Sequence, residues 1–350
     1  MTKEEALGKG IIWHETVHSM KRRSPWHDYC RKGTYMLTLV VNGRKPLLGE
    51  LATVTDASAS DVKARVELSA LGKAIRDVEV NKINHFYPMV DVWKLCIMPD
   101  HIHMIVRVKE DMDISKHLGL IVAGFKGGCS RAARRLGVTV PPASAGEEVQ
   151  GECLGNGDTE EEKAPLVPLF EQGYNDKILL RDEQLDNWKH YLDDNPRRLM
   201  MKRRNPQLFM VLHEVDIAGK HCQMVGNRFL LDVPDKMAVI VHRRYTDEDN
   251  ERLREAWLAC GERGGVLVSA AISSKEKEVL REAMNRGYRI IHLRENGFPE
   301  LYKPSGEAFD ACVDGRLLQI SPWLYHMERK IITRAQCLEL NAMAEEIAGR

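Results

Sequence analysis

Apolar residues recur with the periods of two kinds of element along this chain. Tyr35-Met36-Leu37-Thr38-Leu39-Val40-Val41 is β-rich, and Asn42-Gly43 after it predicts a hairpin turn with a return strand through Leu47–Leu51. Between Ala59 and His85, Val66, Leu68, Leu71, Ile75 and Val78 fall near helical spacing and predict a helix. Two more strands follow, Met89–Ile97 and Ile102–Val108, with a turn at Pro99-Asp100. A second helix is expected from about Ile114 to Leu136, and another from Asp182 to Asp194, where Pro196 should end it. The order ββαββα predicts a small antiparallel sheet with helices on one face.

The pattern changes near Lys236. Met237–Val241 reads as a buried strand, Asp247–Glu262 as an amphipathic helix, and Val266–Ser269 as a second strand. Ser274–Asn285 is a second helix, Tyr288–His292 a third strand, and Tyr325–Arg350 a helical tail. Strands alternating with helices predict a parallel sheet. The expected class is therefore α+β, with residues 1–33 an extension, 34–215 the first domain, and 236–350 a small α/β domain.

Composition alters this picture little. The chain has 350 residues, enough for two cores, and 51 basic against 51 acidic side chains. A zero net charge argues against nucleic-acid binding until its distribution is considered. Glu147, Glu148, Glu152, Asp158, Glu160, Glu161 and Glu162 crowd a Gly-, Ser- and Pro-rich segment, 141–164, that reads as a flexible loop. The remainder of the first domain is moderately basic. Eight cysteines form no CxxC pair, which suits reduced thiols, with Cys96 and Cys129 expected in the core. No apolar run nears the roughly 18 residues that span a bilayer, and the first residues lack a secretory pattern. A cytoplasmic protein without membrane contact is expected.

The chemistry concentrates in two segments. In Met98-Pro99-Asp100-His101-Ile102-His103, strand alternation points His101 and His103 to one face, where they can grip a metal ion. In Tyr191-Leu192-Asp193-Asp194-Asn195-Pro196, Tyr191 and Asn195 lie one helical turn apart and share a face. An isolated HxH is more often a pair of ordinary histidines, an isolated helical tyrosine usually packs its ring, and an Asn before Pro often closes a helix.

Together with Phe125-Lys126 and Gly173-Tyr174-Asn175-Asp176-Lys177-Ile178-Leu179, and with Arg197-Arg198-Leu199 after Pro196, these segments resemble the single-tyrosine HUH transposases, above all their REP-associated branch. The resemblance covers residues 30 to 212 and implies an HUH fold of ferredoxin-like or RRM-like type. It implies a divalent metal, Mg²⁺ or Mn²⁺, on His101, His103 and Asn195, and Tyr191 as the nucleophile of a DNA endonuclease and strand transferase with a 5′-phosphotyrosine intermediate. The implied substrate is single-stranded DNA with a hairpin or palindromic repeat, and relatives act as monomers or homodimers. A non-catalytic or domesticated regulator that recognises repeat hairpins is a second reading. A replication-initiator or relaxase-type nickase is a third, lacking the Asn-Pro-Arg-Arg continuation.

Lys126, Arg131, Arg134 and Arg135 on one helix, and Arg197, Arg198, Lys202, Arg203 and Arg204 beyond the tyrosine, are candidate phosphate contacts. Solvated helix faces are the plain alternative. Trp13, Trp26 and Tyr29 would stack on bases or dock the extension. His190 adjoins Tyr191 but points about 100° away and is expected to be non-catalytic. The C-terminal region is similar to the Rossmann-like domain of DNA-processing protein A through Gly264–Ser269 and Gly315–Pro322. Its second-strand loop, Ala270-Ala271-Ile272-Ser273-Ser274, lacks the glycines that let a backbone cradle phosphate, so nucleotide binding is not expected there. A DNA- or protein-contacting accessory role is expected instead.

Overall fold

The computed structural model describes residues 27–54, 63–113, 116–141, 166–181, 183–242, 244–299, 302–327 and 331–349. Trp13, Trp26 and most of the acidic loop lie outside these. The chain divides into two compact units, Met1–Met200 and Met201–Arg350.

The first unit is built on a four-stranded antiparallel sheet in the order β4-β5-β1-β6. These strands are β1 (Gly33–Val40), β4 (Val90–Met98), β5 (His101–Val108) and β6 (Asn175–Ile178). Period-two alternation in β1 and β5 sends Tyr35, Leu37, Leu39, Ile102, Met104 and Val106 into one buried core. That core is closed by the helical stretch α1 (Ala70–Ala74), a π turn (Ile75–Glu79) and α2 (Val80–Phe86), and by α3 (Leu118–Arg135). A Cβ at Gly128 of α3 would stand 2.3 Å from the Glu79 carboxylate, so any larger residue there would have to displace that side chain. The opposite sheet face carries Met36 and Ile105, and α4 (Glu183–Arg204) packs on it through Leu192, Leu185 and Trp188.

Three local expectations are corrected. The Asn42-Gly43 turn is present as a short 3-10 turn with Gly43 at φ 61° and Arg44 at φ 52°, but it does not make a hairpin. β1 pairs with β5 and β6, whereas β2 (Gly49–Val54) pairs with β3 (Lys63–Leu68) in a separate two-stranded sheet. The helix expected from Ala59 therefore begins at Ala70, capped by the Ser69 side chain, because Val66 and Leu68 belong to a strand. Short apolar runs fit both periods, and cross-strand pairing decides between them. Pro196 also fails to end its helix, which runs on to Arg204. Proline removes one N–H bond and crowds the preceding turn, yet packing of Leu192, Arg198 and Met200 continues past it.

In the second unit, six strands follow the order β7-β8-β12-β11-β10-β9. Strands β9 (Lys236–Ala238), β10 (Val266–Ser269), β11 (Arg289–Leu293) and β12 (Leu317–Ser321) are parallel. β8 (Lys220–Gly226) pairs antiparallel with β12, and β7 (Leu212–Ile217) pairs antiparallel with β8 at the sheet edge. Residues 201–235 thus lie in this unit. Helices α5 (Asp247–Glu262), α6 (Ser274–Asn285), α7 (Glu307–Val313) and α8 (Arg334–Gly349) complete it. Both α5 and α6 start with a capping box, Thr246 with Asp249 and Ser273 with Glu276. Apolar cores lie on both sheet faces, one around Trp257, Val279 and Phe309, the other around Leu340, Met343 and Ile347. The molecule is mixed α+β, with an antiparallel sheet first and a mostly parallel sheet second.

Candidate functional site

His101 and His103 leave β5 on the α4 side of the sheet, with ring centres 4.7 Å apart and nearly perpendicular. Each ring is held at Nδ1. His101 Nδ1 donates to Asp100 Oδ1 at 2.7 Å, and His103 Nδ1 shares a 2.8 Å hydrogen bond with Thr38 Oγ1 on β1. The Asp100 carboxylate at Nδ1 leaves Nε2 of His101 as the lone-pair donor, and a hydrogen bond at Nδ1 is the arrangement that orients an imidazole toward a metal. Burial alone would raise the Asp100 carboxyl, but the hydrogen bond and charge of His101, with Arg44 at 3.6 Å, hold it below its ordinary value. It is thus an anion able to orient the ring.

Tyr191 reaches this pair from α4, its ring centre 5.6 Å from that of His103. One turn on, Asn195 is 5 % exposed and its Nδ2 finds no hydrogen-bond partner. The helix continues to Arg204, so Asn195 is not a C-terminal cap. A buried amide with an unmet end is costly unless something outside the chain completes it. Which end carries oxygen is interchangeable by a flip, so the same amide offers its Oδ1 to a cation. Two imidazoles and one amide oxygen match a divalent ion that keeps sites open for phosphate oxygens. Among the described residues no group of three or more His, Cys, Asp or Glu could hold a metal ion. Cys96 lies across from His103 in the ladder, but it packs with Met36, Ile105 and Leu192, and burial first, then Asp193, pushes its thiol up to about 12.

The basic residues divide into distinct environments. Arg198 is 7 % exposed, with its guanidinium carbon 5.6 Å from the centre of the Tyr191 ring. Arg197 holds Asp194 through two hydrogen bonds, at 2.5 and 3.1 Å. Arg203 and Arg204 are exposed in the last turn of α4, beside the half-buried Lys202. Helix α3 packs on the sheet face opposite the histidines, so its basic residues are not gathered with them. Arg131 and Arg134 are exposed there, and Arg135 pairs with Glu79 at 3.3 Å. Lys126 donates to the carbonyls of Glu171 and Gly173, and burial brings its ammonium down to about 8. It thereby pins the segment that enters β6, where Asn175 stands opposite Thr38.

Tyr29 docks against the sheet, its hydroxyl on Asp176 at 2.8 Å and its ring stacked on Tyr35. His190 is exposed, in keeping with a role outside the site. Cys129 is fully buried in the core. Thr38 escaped the sequence pattern, because only the strand register brings it beside His103.

In the second unit, the loop after β10 meets an internal anion. Glu276, almost fully buried, accepts the N–H of Ile272 at 2.6 Å and of Ser273 at 3.1 Å on one oxygen, and that of Val241 at 2.8 Å on the other. The amides that would face a phosphate are already satisfied by a carboxylate.

No helix among the described residues is long and apolar enough to cross a membrane. No family model matches the chain, and no curated protein does. Among solved structures, the chain is similar to a REP-associated tyrosine transposase bound to a REP hairpin, at 13 % identity, covering 51 % of this chain and 74 % of that one, with a TM-score of 0.31. It is also similar to DNA processing protein A from Helicobacter pylori, described by its single-stranded DNA binding mode, at 18 % identity over 40 % of this chain and 65 % of that one, TM-score 0.28. A third is a candidate transposase from Deinococcus radiodurans R1, at 14 % identity over 49 % of this chain and 95 % of that one, TM-score 0.23. Likenesses this low carry no weight by themselves, and the site stands on its own geometry.

Proposed function

We propose that the first unit is a metal-dependent, single-tyrosine endonuclease and strand transferase acting on single-stranded DNA near hairpins. The observation that carries it is the meeting of His101, His103 and Tyr191, from a strand and a helix far apart in sequence, with the unmet amide of Asn195 one helical turn beyond the tyrosine.

His101 Nε2, His103 Nε2 and Asn195 Oδ1 would hold Mg²⁺ or Mn²⁺, which as a Lewis acid withdraws charge from the scissile phosphate. Asp100 keeps His101 in the tautomer that exposes Nε2, and Thr38 orients the His103 ring from its Nδ1 side. The Tyr191 oxygen bonds to phosphorus and loses its proton, while the bond from phosphorus to the 3′ oxygen of the preceding nucleotide breaks and that oxygen takes up a proton. The products are a 5′-phosphotyrosine and a free 3′-hydroxyl. The phosphodiester energy stays in the adduct, so attack by another 3′-hydroxyl rejoins DNA without ATP. Arg198 sets a positive charge beside the tyrosine ring as charge builds on the phosphate. The exposed Arg203 and Arg204 are placed to meet backbone phosphates, and the second unit serves as a DNA- or protein-contacting accessory.

The test combines purified protein, Mn²⁺ and labelled single-stranded hairpin oligonucleotides, followed by denaturing electrophoresis. A protein–DNA adduct that disappears in both Tyr191→Phe and His101→Ala is expected. Binding without any adduct across many hairpins would instead favour a regulator that retains the fold.

A further inference from the structure

Beyond the histidine pair, the same sheet face presents an aromatic side chain in an unusual setting. Strand β4 carries a bulge between Val92 and Lys94, and Trp93 is the extra residue. A bulge re-aims the side chain it releases from the ladder. Trp93 is 47 % exposed, and the Arg107 guanidinium lies over its ring, 5.8 Å from the centre. Arg107 follows His101, His103 and Ile105 at period two along β5, so it shares their face. Four residues at about 3.3 Å each put it roughly 13 Å from His103.

The charges around this pair leave Arg107 free for an outside anion. Its hydrogen bond goes to the Thr34 hydroxyl at 3.0 Å, and it pairs with no carboxylate among the described residues. Asp91, its neighbour across the ladder, is engaged by Asn84 at 2.9 Å and by Lys109 at 3.2 Å. Lys94 is drawn to Asp193 of α4 at 2.6 Å. The result is an exposed indole with an uncompensated cation against it.

We propose that Trp93 and Arg107 form a binding platform for an unpaired nucleotide, the base stacking on the indole and its phosphate meeting the guanidinium. Every base has a face to stack, so the platform is tolerant of sequence, and Arg107 adds charge complementarity to the backbone. The inference rests on the proposed DNA-cleaving function for the identity of the ligand. It places the platform on the face that carries Tyr191, where one continuous single strand reaches both.

The experiment uses the full chain carrying Tyr191→Phe, so that binding is read without cleavage. A short fluorescein-labelled oligothymidylate is titrated by fluorescence anisotropy. Trp93→Ala should weaken binding about tenfold, in the range for loss of one base stack, and Trp93→Phe should keep most of the affinity. Arg107→Gln should lower the dependence on salt by about one phosphate contact. An abasic site scanned along the oligonucleotide should weaken the parent at one position and make it indifferent to Trp93→Ala there. Unchanged affinity in a folded Trp93→Ala protein, no sensitive abasic position, or no binding by the parent overturns the platform. Adduct formation on Tyr191 is scored separately. Trp93-dependent binding without any adduct would sink the cleavage reading alone, and an adduct with Trp93-independent binding would sink the platform alone.

Discussion

Arg198 lies under the ring of Tyr191, 5.6 Å from its centre and almost wholly shielded from water. The two are seven residues apart, two turns of one helix, so their relation is set by the continuation of α4 through Pro196. A desolvated cation on an aromatic face is worth more than an exposed one. Arg198→Ala should therefore reduce the rate of adduct formation at neutral pH by about tenfold. Arg198→Lys should recover part of it. Oligonucleotide affinity, measured alongside, should fall by less than the rate, whereas an equal fall in both would assign Arg198 to phosphate binding alone.

Thr38 holds the Nδ1 of His103 from the neighbouring strand. Thr38→Val keeps the shape and removes the hydroxyl. Loss of such an outer partner typically costs a metal site about 10- to 100-fold in affinity. Calorimetric titration with Mn²⁺ should show a drop of that order, with Thr38→Ser close to the parent. Equal affinities in all three proteins would remove Thr38 from the proposed metal site.

Lys126 gives a test by pH. Burial lowers its ammonium to about 8, from the ordinary lysine value of 10.5. Between those values the unfolded chain binds the proton more readily than the folded one, so stability should rise as pH increases from about 8 toward 10.5. Below about 8 both states are protonated and this contribution is flat. Lys126→Met should abolish the rise, read as the thermal midpoint against pH. A parent profile with no rise in this window would show that Lys126 is not desolvated as described.

Glu276 bonds three backbone amides, one on one oxygen and two on the other. In Glu276→Gln one of those oxygens becomes an NH₂ facing another donor. Loss of buried, charge-assisted bonds should destabilise the chain by about 3 kcal/mol in urea unfolding. Calorimetric titration of the parent with ATP or NAD should produce no binding heat, because the amides at the start of α6 are already occupied. Tight nucleotide binding by the parent would contradict that.

Periodicity made much of this molecule legible beforehand. The strands β1, β4, β5, β10 and β11, and the helices α3, α5 and α6, lie within a few residues of their expected places. So does the one-face placement of His101 with His103 and the one-turn spacing of Tyr191 with Asn195. Each of these depends only on neighbours within a few residues, which is the range over which side-chain period and backbone preference act. The failures share another origin. Lys63–Leu68 became a strand because Gly49–Val54 pairs with it, and Pro196 lies inside a helix because packing on both sides outweighs one lost bond.

The sequence by itself determined which chemical groups exist and how each is aimed within its own element. Only the tertiary structure decided which of them meet. Strand register placed Thr38 beside His103, and packing of α4 over Met36 and Ile105 carried Tyr191 to the same place. A bulge turned Trp93 toward Arg107, and a buried carboxylate took the phosphate-facing amides of the second sheet. Such meetings join residues tens of positions apart, and no local period encodes them; they follow from burying apolar faces together while every polar group left inside finds a partner.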